Sequence, residues 1–286
     1  MIKKIILFLL LSVSLFPQAV CTAADSSVFN ELIGLANRKH LEHLQIEKVI
    51  SEIGLYLIGT DYEAGTIEPA GDEELVVHLT GLDCYTFVEA CLAAARCIAS
   101  RKTTFDDFTA ELENIRYRNG IIDGYPSRLH YFSDWIYNLT GRNILRDETE
   151  KLGGKPYEKK INFMSGNADK YPRLKDGGSN LDRIIEIENK INKRKLYYIP
   201  ENAIESIENN IPSGAIIGIT TEIKGLDISH TGIALKKSNG KIYLLHAPNV
   251  GQKVQVSKLP LDEYLKKNKL QTGIIVAFPV EPQINE

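Results

Sequence analysis

Apolar side chains recur at helical spacing early in the chain: Phe29, Leu32, Ile33, Leu35 and Ala36 share one face, which predicts a helix over 27–53. Gly54 to Gly65 is turn-rich and carries Tyr56 and Tyr62. The extended run Leu75-Val76-Val77-His78-Leu79 leads into Gly81-Leu82-Asp83-Cys84. Residues 85–99 favour helix again, so the pattern sets Cys84 at or near a helix N-terminus. Another helix is expected over 104–118, with Thr103 or Thr104 as its cap. The texture changes over 151–195, which is rich in Lys, Asn and Gly and ends in a predicted helix over 181–192. The last ninety or so residues switch to strand periodicity: 215–220, 230–236, 241–246 and 272–278 are short β-rich runs. Ser238-Asn239-Gly240 is a strong hairpin turn between the second and third.

Helices first and a compact antiparallel sheet afterwards predict an α+β fold, with the N-terminal helices packed on a small antiparallel sheet or partial barrel. Residues 25–286 are expected to form a single domain. The stretch near 151–195 reads as an elaboration on it, with too few apolar residues for a core of its own. A hydrophobic fraction of 43% and a charged fraction of 25% are those of an ordinary globular chain. The formal net charge of -3 argues against nucleic acid as a partner and against a polybasic membrane anchor. No CxxC pair or His/Cys cluster at zinc spacing occurs, so no metal or other cofactor is expected.

Residues 1–24 read as a signal peptide. Met1-Ile2-Lys3-Lys4 is a positive head, Ile5 to Phe16 an apolar run too short to span a bilayer, and Cys21-Thr22-Ala23-Ala24 supplies small residues for cleavage. Export, to the periplasm, is therefore expected. Lipidation at Cys21 is the less favoured alternative, because Val20 is a poor residue before a lipid-modified cysteine. Cleavage would leave Cys84, Cys91 and Cys97, an odd number in an oxidising compartment, where an odd thiol is either paired between molecules or kept reactive. Cys91 and Cys97 read as apolar fillers of one buried helix, on faces that a disulfide would not join.

Cys84 is left as the candidate nucleophile. Helix N-terminal N–H groups favour an anion, so a depressed thiol pKa is expected, and the same groups suit an oxyanion. A thiolate also needs a base that can protonate the leaving amine. Of the six histidines, His40 and His43 fall on a polar helix face, and His78 reads as structural within its extended run. His130 belongs to the dense cluster Arg128-Leu129-His130-Tyr131-Phe132-Ser133-Asp134-Trp135. His230 opens a strand with Gly232 two residues on, which permits close approach of another backbone. The Asn239-Gly240 hairpin brings His246 onto the neighbouring strand, where a polar side chain could hold the His230 imidazole in its working tautomer. Each feature has a plainer reading: a lone cysteine before an apolar helix is commonly a core thiol, and a strand histidine commonly structural. The Arg128–Trp135 cluster reads equally as a packed loop with an ion pair or as a substrate wall, with Arg128 for a carboxylate and Tyr131 or Trp135 for a sugar or peptide face.

Four ordered segments carry a resemblance: 82–89 (LDCYTFVE), 127–135 (SRLHYFSDW), 225–233 (GLDISHTGI) and 244–247 (LLHA). Together they resemble the N-acetylmuramoyl-L-alanine amidase-like branch of the NlpC-type cysteine peptidases, over roughly 55–278. The resemblance implies a papain-like fold, a Cys84–His230 pair oriented by His246, and Tyr62 near the oxyanion or substrate. Asp83, Arg128, His130, Tyr131, Asp134, Trp135 and Ser229 then become candidates for substrate binding. The implied reaction is hydrolysis of the amide between N-acetylmuramic acid and L-alanine, in peptidoglycan or muropeptides, through a cysteine thioester. Two positions depart from the superfamily pattern, Gly214-Ala215 where Gly-Asp is frequent and Pro248 where Ser is frequent; both bear on substrate preference.

Three other functions remain open to the sequence: a γ-D-glutamyl-diamino acid endopeptidase with the same residues, a silent wall-binding protein, and a lipid acyltransferase. Neither an obligatory protein partner nor assembly beyond a monomer is expected.

Overall fold

The computed structural model describes residues 19–68 and 70–283. The leader's positive head and apolar run lie outside them. Four helices come early: α1 (Ala23–Lys39), α2 (Ile46–Tyr56), α3 (Cys84–Ala99) and α4 (Phe105–Arg116). Next come α5 (Phe132–Gly141), β1 (Leu145–Asp147), β2 (Lys155–Pro156), α6 (Ser179–Ile191), β3 (Tyr197–Pro200) and α7 (Ile204–Ile207). The remainder is β4 (Ile216–Thr221), β5 (Ile228–Lys236), β6 (Ile242–His246), β7 (Gln255–Val256), α8 (Leu261–Lys266) and β8 (Gln271–Pro279).

The expected helix over 27–53 is two helices. Its apolar stripe runs out at Lys39 and His40, and the chain turns there with His40 in the left-handed region at φ 52°. Residues 20–24, assigned to the leader on sequence grounds, are joined to the domain. The Val20 N–H donates to the Leu75 carbonyl at 2.8 Å, and Thr22 and Asp25 form a reciprocal cap on α1.

The sheet is open and antiparallel in the order β2-β3-β8-β4-β5-β6-β7, with β1 paired to β8. Its central strands are apolar on both faces, because both are covered. Ile216, Ile233, Leu245, Ile275 and Ala277 join the large core with α1–α5. Their alternates Ile217, Ile219, Ala234, Leu244, Ile274 and Val276 meet Ile204, Ile207, Leu261 and Leu265 of α7 and α8. α3 lies at the centre, packed on α2, α4 and β5. Its small residues Ala90, Cys91 and Ala93–Ala95 are wholly buried or nearly so, and Cys91 and Cys97 are buried free thiols. The 151–195 segment shares a third cluster with the rest of the chain: Ile161, Met164, Leu174, Ile184 and Ile191 pack with Tyr125 and Tyr131.

β5 and β6 form the expected hairpin, with Gly240 at φ 78° in the turn. Ile233 pairs with Leu245 and Ala234 with Leu244, a register that brings His230 and His246 to the same end of neighbouring strands. Gly232 lets the strands meet: a Cβ there would stand 2.8 Å from the Leu245 carbonyl oxygen.

Candidate active site

Cys84 is the first residue of α3, and its side chain is half-buried. Asp83 is the cap: its carboxylate accepts from the Tyr85 N–H at 3.0 Å and the Thr86 N–H at 2.8 Å, while Thr86 Oγ1 accepts the Asp83 N–H at 2.9 Å. Asp83 is thus committed to the helix start rather than presented to a ligand. Backbone N–H groups of Thr231, Cys84 and Tyr85 point at the sulfur and favour its anion. Burial outweighs them and, with the Asp83 charge, pushes the thiol up to about 12. The expected depression of this pKa is therefore reversed in the resting site: a helix N-terminus cannot offset desolvation next to a carboxylate.

His230 Nε2 and His246 Nδ1 are 2.6 Å apart, with the rings nearly perpendicular at 79°. Burial lowers His230 to about 4 and, with the proximity of His230, lowers His246 to about 3. Both rings are neutral at ordinary pH, so one proton lies between the two nitrogens. For His230 to accept a proton at its remaining ring nitrogen, Nδ1, it must donate Nε2–H to His246. That tautomer also gives a developing imidazolium a fixed acceptor. The link to Cys84 runs through the backbone, since Thr231, whose N–H reaches the sulfur, follows His230 directly.

Two phenols lie within electrostatic range of the thiol. Tyr62 is half-buried, held by its N–H to the Gln252 carbonyl at 2.8 Å and by the neighbouring Leu82 N–H to the Asp61 carbonyl at 2.9 Å. Its hydroxyl is raised by burial and then by Cys84 and Asp83. Tyr264 on α8 is raised by burial and then by Cys84, and its ring meets His246 edge-on at 5.4 Å and 89°. Ser229, His230, His246 and Tyr264 line a cleft of about 620 Å³, a size typical of small-ligand sites. Ser229 is exposed on it.

The Arg128–Trp135 cluster takes the other of its two readings: it is a packed, buried block and presents no wall to the cleft. Arg128 is 4% exposed and pairs with Glu68 at 2.6 Å and Glu73 at 3.3 Å. His130 Nε2 meets the Tyr125 carbonyl at 2.9 Å, and burial lowers its pKa to about 3. Tyr131 donates to Glu188 at 2.7 Å, Asp134 binds Arg118 and Arg194 at 2.6 Å each, and the Trp135 indole N–H donates to the Ile115 carbonyl at 2.9 Å. Each of these side chains is engaged with the protein, because 128–135 links the helices to the 151–195 segment. The block still supports the site: Phe132 and Trp135 pack on Tyr85, the residue after Cys84, with ring centroids 6.4 and 5.9 Å away.

His78 bonds Glu63 at 2.8 Å, and His40 and His43 are exposed. Sequence reasoning missed Tyr264, which lies in a short helix with no motif of its own, and the Thr231 N–H, which no side-chain pattern can disclose. Among the described residues no group of three or more His, Cys, Asp or Glu side chains is arranged to hold a metal ion.

A profile of the AmiA-like, N-acetylmuramoyl-L-alanine amidase-like family matches residues 52–274, a span that includes Tyr62, Cys84, His230, His246 and Tyr264. An N-acetylmuramoyl-L-alanine amidase of Bacteroides uniformis is similar in structure, with a TM-score of 0.76 and 34% identity over 83% of this chain and 100% of that one. A Bacteroides fragilis protein provisionally named a xylanase is 38% identical over 78% of this chain and 97% of its own, with a TM-score of 0.73. A Legionella pneumophila protein shares the fold at 24% identity, covering 91% of this chain and 96% of its own, with a TM-score of 0.69. No curated protein matches the chain significantly.

Proposed function

The chain belongs to the N-acetylmuramoyl-L-alanine amidase-like family, and from that premise we propose that it is a cysteine-dependent cell-wall amidase with a papain-like, NlpC-type site. The reaction is hydrolysis of the amide joining the lactyl group of N-acetylmuramic acid to L-alanine, in peptidoglycan or a muropeptide. The observation that carries the reading is the His230–His246 hydrogen bond at 2.6 Å, one residue from the Thr231 N–H that reaches the Cys84 sulfur at the start of α3.

The neutral resting pair defines the first step. As Cys84 Sγ attacks the lactyl carbonyl carbon, its proton passes to His230 Nδ1, and the imidazolium is oriented by His246. The oxyanion is held by the Cys84 N–H and the Tyr62 hydroxyl. Collapse breaks the C–N bond, and His230 gives its proton to the departing alanine nitrogen, leaving a muramoyl thioester. Water, deprotonated by His230, attacks the thioester, and the products are the lactyl carboxylate and the restored Cys84 thiol. We place this activity in an exported, periplasmic protein, on the leader pattern of residues 1–24, and expect it to act as a monomer.

Mass spectrometry of defined muropeptides incubated with the mature protein tests the reading. A free sugar together with a stem peptide beginning in L-alanine, absent with Cys84→Ala, is the expected result. Cleavage inside the stem would move the same residues to an endopeptidase, and turnover retained by Cys84→Ala would end the cysteine mechanism.

A further inference from the structure

We propose that the cleft opening from His230 seats the departing stem peptide, with Lys258 and Lys267 holding its carboxylates. This rests on the amidase reading and adds a substrate requirement to it. In thioester formation the histidine that took the thiol proton must deliver it to the leaving nitrogen, so the leaving group lies on the histidine side of the sulfur. The cleft begins at that side, at Ser229, His230 and His246, and extends to Lys258, Lys267 and Gln271.

Charge decides what fits there. Two lysines and no Asp or Glu line the cleft. Neighbouring lysines are neutralised within the protein, Lys253 by Asp61 at 2.5 Å and Lys266 by Asp262 at 3.3 Å. Among the described residues neither Lys258 nor Lys267 has such a partner within 4.0 Å, and both are exposed. A compact ammonium on a flexible stem suits a carboxylate whose position varies with peptide conformation. An uncharged sugar would leave both lysines without a role. At the cleft floor Gln271 is nine-tenths buried, and its Oε1 accepts no hydrogen bond among the described residues. A turn of that amide offers the oxygen to a peptide N–H. Peptide N–H groups and free carboxylates, spaced along one short chain, describe a stem peptide.

Initial rates on a muropeptide with free stem carboxyls and on the same compound with those carboxyls amidated test the assignment. Wild type is expected to show a KM about tenfold higher for the amidated compound, the size two exposed ion pairs supply together. The Lys258→Met/Lys267→Met double variant should raise KM for the free-carboxyl compound by about the same factor, keep kcat within about twofold, and leave the amidated compound unaffected. Lys193→Met, on the exposed face of the 151–195 segment, is the charge control. Equal KM values for the two compounds in wild type, or an equal loss on both in the double variant, would overturn the proposal. If no lactyl amide is cut at all, the amidase reading falls by itself. Titration of free stem peptide into Cys84→Ala, with and without the lysines, then decides the subsite separately: lysine-dependent binding supports it and lysine-independent or absent binding ends it.

Discussion

A neutral resting thiol makes a quantitative prediction about reactivity across pH. Raising Cys84 from its ordinary 9.0 to about 12 lowers the thiolate population at pH 7 by about a thousandfold. The remaining thiolate is more basic and hence intrinsically more nucleophilic, by about fifteen- to thirtyfold for a Brønsted slope of about 0.4–0.5. Iodoacetamide should therefore alkylate Cys84 in the unliganded protein about thirty- to sixtyfold more slowly at pH 7 than it alkylates a free cysteine peptide. The acid limb of kcat/KM should follow His230 and fall near pH 4, well below the ordinary histidine value of 6.5. Stability carries the same sign. The folded pKa of His230 is depressed, so the unfolded chain takes up the proton first as pH falls below 6.5. Stability is complete above that pH and is lost progressively towards pH 4, by about 3 kcal/mol. His246 shares the same proton, so the pair titrates as one unit. Alkylation that matches or exceeds the free peptide and stays flat from about pH 5 to 8 would refute the reasoning, because it would reveal a preformed thiolate–imidazolium pair.

Two further substitutions test the support of the site. Gly232→Ala puts a methyl 2.8 Å from the Leu245 carbonyl oxygen and 2.9 Å from Leu244 side-chain carbons. It should cost about 1–3 kcal/mol and part the two histidines, so a lower Tm in denaturation scans should accompany a lower kcat. Tyr131→Phe removes the hydroxyl that donates to Glu188 at 2.7 Å and accepts the Met164 N–H at 2.8 Å. Loss of about 1–3 kcal/mol is expected, read as faster proteolytic nicking within 151–195, while KM is retained because the side chain does not face the cleft.

Local rules acting on local residues made much of the site legible in the sequence. Asp83 and Thr86 form a cap that any helix beginning at Cys84 would need, and Asn239-Gly240 fixes a tight turn that sets β5 beside β6. Gly232 marked the place where two backbones meet. The limits appear wherever burial or distant contacts decide. The apolar face of α1 did not disclose that the chain breaks at His40 and starts again as α2. Arg128, Tyr131, Asp134 and Trp135 have the composition of a binding wall, and their engagement by Glu68, Glu188, Arg194 and the Ile115 carbonyl depends on segments up to about sixty residues away.

The sequence by itself determined where the candidate groups fall: a helix-starting thiol, two histidines on adjacent strands, and an α+β order of elements. These follow from period, caps and turns, which act over a few residues. Only the tertiary structure decided the protonation state of that chemistry and the shape of what it receives. Desolvation pushes Cys84 up and His230 down, the 2.6 Å contact leaves one proton between the two histidines, and α8 with the residue after it brings Tyr264 and Lys267 to the same cleft. Desolvation and charge are sums over everything that surrounds a group in space, and no short window of residues contains that sum.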